Sequence, residues 1–148
     1  MLTPSRILVV DDNISLVRML EGVLRRQDFE VLTAYDGKEG WEKARQFLPD
    51  LIVLDVIMPE LDGYEVCRLL RDEPTTAHIP IILLTVKGQV DDPDLDSLTL
   101  DKRIAEQMRG YDAGAVDFIP KPVKAGVLLE RIKSHLLVDR TALELHEP

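Results

Sequence analysis

Short uninterrupted apolar runs alternate along the chain with longer stretches in which apolar residues recur every three or four positions. Arg6–Val10, Leu51–Leu54 and Pro80–Leu84 are of the first kind; Glu30–Ala34, short and β-branched, and Val116–Ile119 are polar-interrupted and are read as the second and fifth strands. Runs this short, rich in Ile, Leu and Val, predict strands buried on both faces. Between them the period lengthens. Leu16, Met19, Leu20, Val23 and Leu24 fall on one helical stripe from Ile14 onward, with Arg18, Arg25 and Arg26 largely off it and Asn13 or Asp12 as the cap. Trp41, Ala44 and Leu48 mark a second helix, stopped at Pro49. Tyr64, Val66, Cys67 and Leu70 mark a third, from about Asp62 to Arg71, ended by Pro74. A fourth starts near Asp101 and carries Ile104, Ala105 and Met108. The last follows Pro122, a residue suited to a first helical turn, on Leu128, Leu129, Ile132 and Leu136.

Strands that alternate with helices make βαβ units and a parallel sheet. Right-handed crossovers leave few topologies, and the pattern predicts an α/β, doubly wound, five-stranded parallel sheet of order 2-1-3-4-5 with five helices. In that order the first and third strands are neighbours, and their carboxyl ends flank the switch point where ligands collect. Both end in aspartate: Asp11 and Asp12 after the first, Asp55 after the third. The chain is organised around the third, Leu51 to Gly63, in which Met58-Pro59 and Asp62-Gly63 stop the strand and turn the chain. An aspartate after a strand often only caps the next helix, but Pro59 intervenes before that helix begins.

Composition narrows the function classes. A chain of 148 residues with 45% hydrophobic and 30% charged residues is expected to form one soluble domain. A net charge of -9 with no basic stripe argues against direct nucleic-acid binding. No apolar run approaches a membrane span, and Met1–Arg6 lacks the regions of a signal peptide, so the expected location is cytoplasmic. Cys67, the single cysteine, allows no internal disulfide and falls on an apolar helix face as a small buried hydrophobe. His78, His135 and His146 lack metal-ligand spacing. Gly88 to Asp101 carries five acids and no base, and reads as a long loop. Within it Asp92-Pro93-Asp94-Leu95-Asp96 suggests a calcium loop, but Ser97 replaces the required glycine and Arg103 stands where the bidentate glutamate belongs.

Four features fall at strand ends: Asp11 with Asp12, Asp55, Thr85, and Lys121. The topology brings them to one edge of the sheet. Three carboxylates in one pocket repel unless a cation joins them, and an open all-oxygen site suits Mg²⁺. A carboxylate beside Mg²⁺ is a plausible nucleophile toward phosphorus. Phosphoryl transfer needs positioning and charge neutralisation, which Mg²⁺ and the Lys121 ammonium supply in this reading, with the Thr85 hydroxyl bonding a phosphoryl oxygen. Individually each has an ordinary alternative: a surface lysine, a threonine bonded to its own backbone, a strand-end cap.

The sequence resembles the receiver domain of two-component response regulators. The matching pieces are Asp11-Asp12, Asp55 with Met58-Pro59 and Asp62-Gly63, Leu84-Thr85, and Gly114 through Pro122, spanning about 5–138 of the chain. The resemblance implies a flavodoxin-like three-layer sandwich. It implies that Asp55 accepts a phosphoryl group from the phosphohistidine of a histidine kinase or phosphotransfer protein. It further implies Mg²⁺ held by Asp12, Asp55 and the Ile57 backbone carbonyl, with Asp11 acting through water. Thr85 and Phe118 become the conformational switch pair, Lys121 contacts the phosphoryl group, and the Lys121–Pro122 bond is often cis. The output surface is the face of the fourth helix, fifth strand and fifth helix, which would meet an output domain, an effector or a second copy of the chain.

Two other classes compete. A Mg²⁺-dependent aspartyl phosphatase needs a second aspartate two residues after the nucleophile, and that position is Ile57. A pseudo-receiver, binding partners without taking phosphate, would not need the acidic pair, acceptor, threonine and lysine that are all present. Val86 after the threonine, Val123 after Lys-Pro and the acidic loop at about 88–101 depart from the family pattern. Val86 is expected to crowd the phosphoryl pocket and slow attack by water. Residues 139–148 read as a C-terminal tail or linker.

Overall fold

All of Leu51–Asp55, Ile7–Val10 and Ile81–Leu84 is buried, as strands must be when helices cover both faces of their sheet. The computed structural model describes residues 3–85, 105 and 108–146. Its strands are β1 (Arg6–Val10), β2 (Glu30–Ala34), β3 (Leu51–Asp55), β4 (Ile81–Thr85) and β5 (Asp117–Pro120). They form one parallel sheet in the order β2-β1-β3-β4-β5. The helices are α1 (Ile14–Arg26), α2 (Gly37–Phe47), α3 (Gly63–Asp72), α4 (described at residues 105 and 108–113) and α5 (Ala125–His146). The predicted α/β class, strand order and helix number are those of the structure.

Alternation along each strand sorts the core into two layers. Leu8, Val10, Ile52, Leu54, Ile81, Leu83 and Phe118 face α2, α3 and α4, where they meet Ala44, Tyr64, Val66, Cys67, Leu70 and Ala113. Ile7, Val9, Leu51, Val53, Ile82, Leu84 and Ile119 face α1 and α5 through Val17, Leu20, Leu24, Leu128, Ile132 and Leu136. Each fully buried aliphatic side chain of this kind contributes about 1.5–3 kcal/mol. Helix starts are fixed by side chains: Asn13 Oδ1 accepts from Leu16 N at 3.1 Å, and Asp36 Oδ1 from Glu39 N at 2.7 Å. Asp62 and Glu65 form a reciprocal capping box at α3.

Several sequence expectations shift when packing is seen. Met19 is exposed and Val17 takes the buried place on α1, because that stripe is narrower than the apolar positions available. Leu48 lies past the end of α2 in a left-handed cap (φ 47°) and is exposed, so it packs no core. β5 starts at Asp117, leaving Val116 exposed outside the strand. Pro122 is not in a first helical turn: it sits in the cis Lys121–Pro122 bond, and α5 begins at Ala125. α5 runs on to His146, through most of the segment read as tail or linker. The acidic loop at 88–101, the start of the fourth helix near Asp101 and Val86 lie outside the described residues.

Candidate functional site

The carboxyl ends of β1, β3, β4 and β5 meet at one edge of the sheet, and register decides what meets there. Val10 is level with Leu54, Asp55 with Leu84, and Thr85 with Pro120. Asp11 follows β1 directly and is tied down by its N–H donating to Ala34 O at 3.1 Å. Lys121 follows β5, and its N–H donates to Thr85 O at 3.2 Å. After β3 the chain turns through Glu60, at φ 68°, and returns with Gly63 N donating to Val56 O at 2.9 Å. A Cβ at Gly63 would stand 2.4 Å from the Asp55 carbonyl oxygen, so only glycine lets α3 start this close to β3.

The sequence-predicted residues converge. Lys121 Nζ lies 2.9 Å from Asp11 Oδ2 and 3.2 Å from Asp55 Oδ1. One carboxylate oxygen from each of Asp11, Asp12 and Asp55 lies within 4.8 Å of the others. Asp11 is fully buried, Asp55 nearly so, and Asp12 is exposed at the mouth. Burial, reinforced by the negative charge of Asp11, pushes the Asp55 carboxyl up to about 6, although the Lys121 ammonium pulls the other way. Burial alone would lower the Lys121 ammonium; its contact with Asp11 and the charge of Asp55 outweigh that and raise it. Lys121 therefore stays a cation while one ammonium faces three carboxylates.

That imbalance is the strongest indication that a further cation belongs here. Asp11 Oδ2 is buried, and the polar group it meets is the Lys121 ammonium at 2.9 Å. Asp11 Oδ1 is occupied by the Asn13 N–H at 2.9 Å. A buried carboxylate oxygen with spare acceptor capacity, beside two more carboxylates, fits a hard divalent ion with oxygen ligands. Ile57, two residues after Asp55, is exposed on the loop that follows β3.

Thr85 and Phe118 occupy adjacent strands two register steps apart, since Phe118 is level with Leu83. The Phe118 ring is buried on the α4 side of the sheet and meets the Tyr111 ring edge-on, with centroids 5.0 Å apart.

Sequence reasoning missed two polar clusters at the amino ends of β4 and β5. Asp117 Oδ1 accepts from Arg131 Nη1 at 2.7 Å and Phe118 N at 2.8 Å, while Oδ2 lies 2.9 Å from His135 Nε2. Arg131 and His135, four apart on α5, are the visible part of this signal, but only the fold shows that Asp117 faces them. Arg71 donates to the carbonyls of Gly114, Ala77 and Ile79 at 2.7 to 3.0 Å, tying α3 to two loops. Nothing in the local pattern distinguishes it from other helix arginines.

A doubly wound sheet with an acidic pocket at its switch point narrows the class of protein, and comparison with known proteins shows the family. Residues 7–133 match the family model described as response regulator receiver domain, and the chain belongs to that family of two-component systems. It is 43% identical over 130 residues to Response regulator PleD of Caulobacter vibrioides, covering 88% of this chain and 26% of that protein. It is 40% identical over 131 residues to the alkaline phosphatase synthesis transcriptional regulatory protein PhoP of Bacillus subtilis, covering 88% and 48%. The chain thus spans about a quarter to a half of these curated relatives. The solved chemotaxis response regulator CheY4 of Vibrio cholerae superposes with a TM-score of 0.75 at 29% identity, covering 89% of this chain and 98% of that one. The receiver domain of a signal transduction histidine kinase from Syntrophus aciditrophicus does so at 0.73 and 34% identity, covering 91% of each. Among the described residues no helix is long and apolar enough to cross a membrane.

Proposed function

We propose that this chain is a phosphorylation switch in which Asp55 accepts a phosphoryl group from the phosphohistidine of a histidine kinase or phosphotransfer protein. The observation that carries the reading is Lys121 Nζ within 3.2 Å of Asp55 and 2.9 Å of a buried Asp11, opposite an excess of negative charge. Asp55, Asp12 and the Ile57 carbonyl would hold Mg²⁺, with Asp11 acting through water. When bound, the ion neutralises phosphoryl oxygens and favours the ionised carboxylate.

In the transfer, an Asp55 carboxylate oxygen attacks phosphorus in line, a new O–P bond forms, and the N–P bond to the donor imidazole breaks. The bonding pair leaves on the imidazole nitrogen, which takes a proton from solvent. Lys121 faces the negative charge developing on the phosphoryl oxygens, and the Thr85 hydroxyl donates to one of them. With its carboxyl near 6, Asp55 is mostly ionised, and so nucleophilic, at neutral pH. Once made, the aspartyl phosphate draws Thr85 toward it, and Phe118 reports the change to the face formed by α4, β5 and α5. Exposed Met108, Tyr111, Val116 and Leu137 on or beside these elements supply apolar area for an output domain, an effector or a second copy. The receiver unit is taken as residues 5–138, with 139–148 as a C-terminal tail or linker, and the protein as cytoplasmic.

Intact-mass measurement after incubation with acetyl phosphate tests this. The reading expects one added phosphoryl mass that requires Mg²⁺ and is absent in Asp55→Ala. A folded wild type that gains nothing from acetyl phosphate or from a kinase donor overturns it.

A further inference from the structure

Gly110 lies in α4, on the side that packs against the sheet. A helix-interior glycine is normally a loss: alanine there shifts the folding equilibrium toward the native state about fivefold. At this position the surroundings reverse the sign. A Cβ built on Gly110 would stand 1.9 Å from Phe118 Cζ, 2.6 Å from Cε2 and 2.9 Å from Leu83 Cδ1. Something would have to move, and most of the neighbourhood is pinned. Arg109 stacks 4.5 Å over the Tyr64 ring of α3, and Arg71 holds the Gly114 carbonyl that follows α4. β5 is paired to β4 along its length and tied to α5 through Asp117, which meets Arg131 and His135. The Phe118 side chain, which can change rotamer about χ1 without moving the backbone of β5, is the part that can yield.

We propose that Gly110 is a positioning residue for the switch: the missing side chain is what seats the Phe118 ring inside, against Tyr111, and a Cβ at 110 turns the ring outward. This rests on the reading of Phe118 as half of the switch. Gly110 then sets the balance between two ring positions from a place that touches neither the acceptor nor its charge partners.

The test compares Gly110→Ala, Phe118→Leu and the double variant by NMR and urea unfolding. In Gly110→Ala the proton contacts between the Tyr111 and Phe118 rings are expected to vanish, and they stay absent after treatment with acetyl phosphate and Mg²⁺. The folding equilibrium falls on the order of tenfold from overpacking, and the loss shrinks or reverses in the Phe118→Leu background, where the ring is gone. Ring contacts that persist in Gly110→Ala, or an alanine equally stabilising in both backgrounds, would overturn the proposal. So would a double variant that fails to fold while Phe118→Leu folds, because the obstruction would then not be the ring. Failure of the signalling reading shows separately, as a wild type that takes no phosphoryl group, and the ring contacts still decide the role of Gly110.

Discussion

Asp55→Asn should make the metal-free protein more stable at neutral pH, although it removes half of a close ion pair. The pocket holds Asp55 at about 6 against an ordinary 3.8, so folding disfavours its ionised form even with Lys121 3.2 Å away. A folded-state value above the unfolded one means that the native state binds more protons between the two values. The contribution of Asp55 to wild-type stability therefore falls as pH rises from about 4 to about 6 and is level above that. The shift, which already includes the attraction of Lys121, corresponds to about 3 kcal/mol between the neutral and ionised forms. In a domain of this size that raises Tm by roughly 6–12 °C. The assay is thermal and urea unfolding of both proteins in EDTA, from pH 4 to pH 8. The advantage of Asp55→Asn should be near zero at pH 4, grow through pH 6 and stay constant beyond. Added Mg²⁺ should narrow it by stabilising the wild type more. A variant less stable than wild type at pH 7.5, or a difference that ignores pH, would refute the picture of an electrostatically frustrated pocket.

Other consequences follow from the same structure. Burial alone would raise the Asp117 carboxyl, but hydrogen bonds from His135, Arg131 and Phe118 N hold it below its usual value. Its stabilisation is thus complete above about pH 4 and lost as pH falls through the lowered value. Asp117→Asn should cost about 1–3 kcal/mol in urea unfolding at pH 7, and the difference should disappear in strong acid. Arg71→Met should cost roughly 2–4 kcal/mol, since the carbonyls of Gly114, Ala77 and Ile79 lose a shared charged donor; equal urea midpoints would contradict this. Asp12→Asn should weaken Mg²⁺ binding on the order of tenfold by calorimetry without lowering stability in EDTA, because Asp12 is exposed.

Much of this was legible in the sequence because the fold imposes one rule at a time. Strands buried on both faces leave uninterrupted runs such as Leu51–Leu54, and their spacing by amphipathic helices leaves little choice of topology. Site residues could be located because a parallel sheet gathers strand ends: Asp11, Asp55 and Lys121 needed only the strand order to be brought together. Packing was not legible in the same way. Whether Met19 or Val17 is buried depends on how α1 rolls on the sheet, and both choices keep a helical stripe. Asp117 belongs to the quoted family motif, yet its role depends on α5 side chains 14 and 18 positions later. Gly110 gives no local signal, since its neighbour is a ring on another element.

The central claim is that Asp55 itself carries the phosphoryl group. Treating the protein with acetyl phosphate and Mg²⁺, reducing with borohydride and mapping the peptides tests that claim most directly, because borohydride converts an aspartyl phosphate to homoserine. The account predicts homoserine at position 55 alone, absent without Mg²⁺ and absent in Lys121→Met after brief exposure. Conversion at another aspartate, or a phosphoryl group that survives reduction on a serine, threonine or histidine, would contradict it.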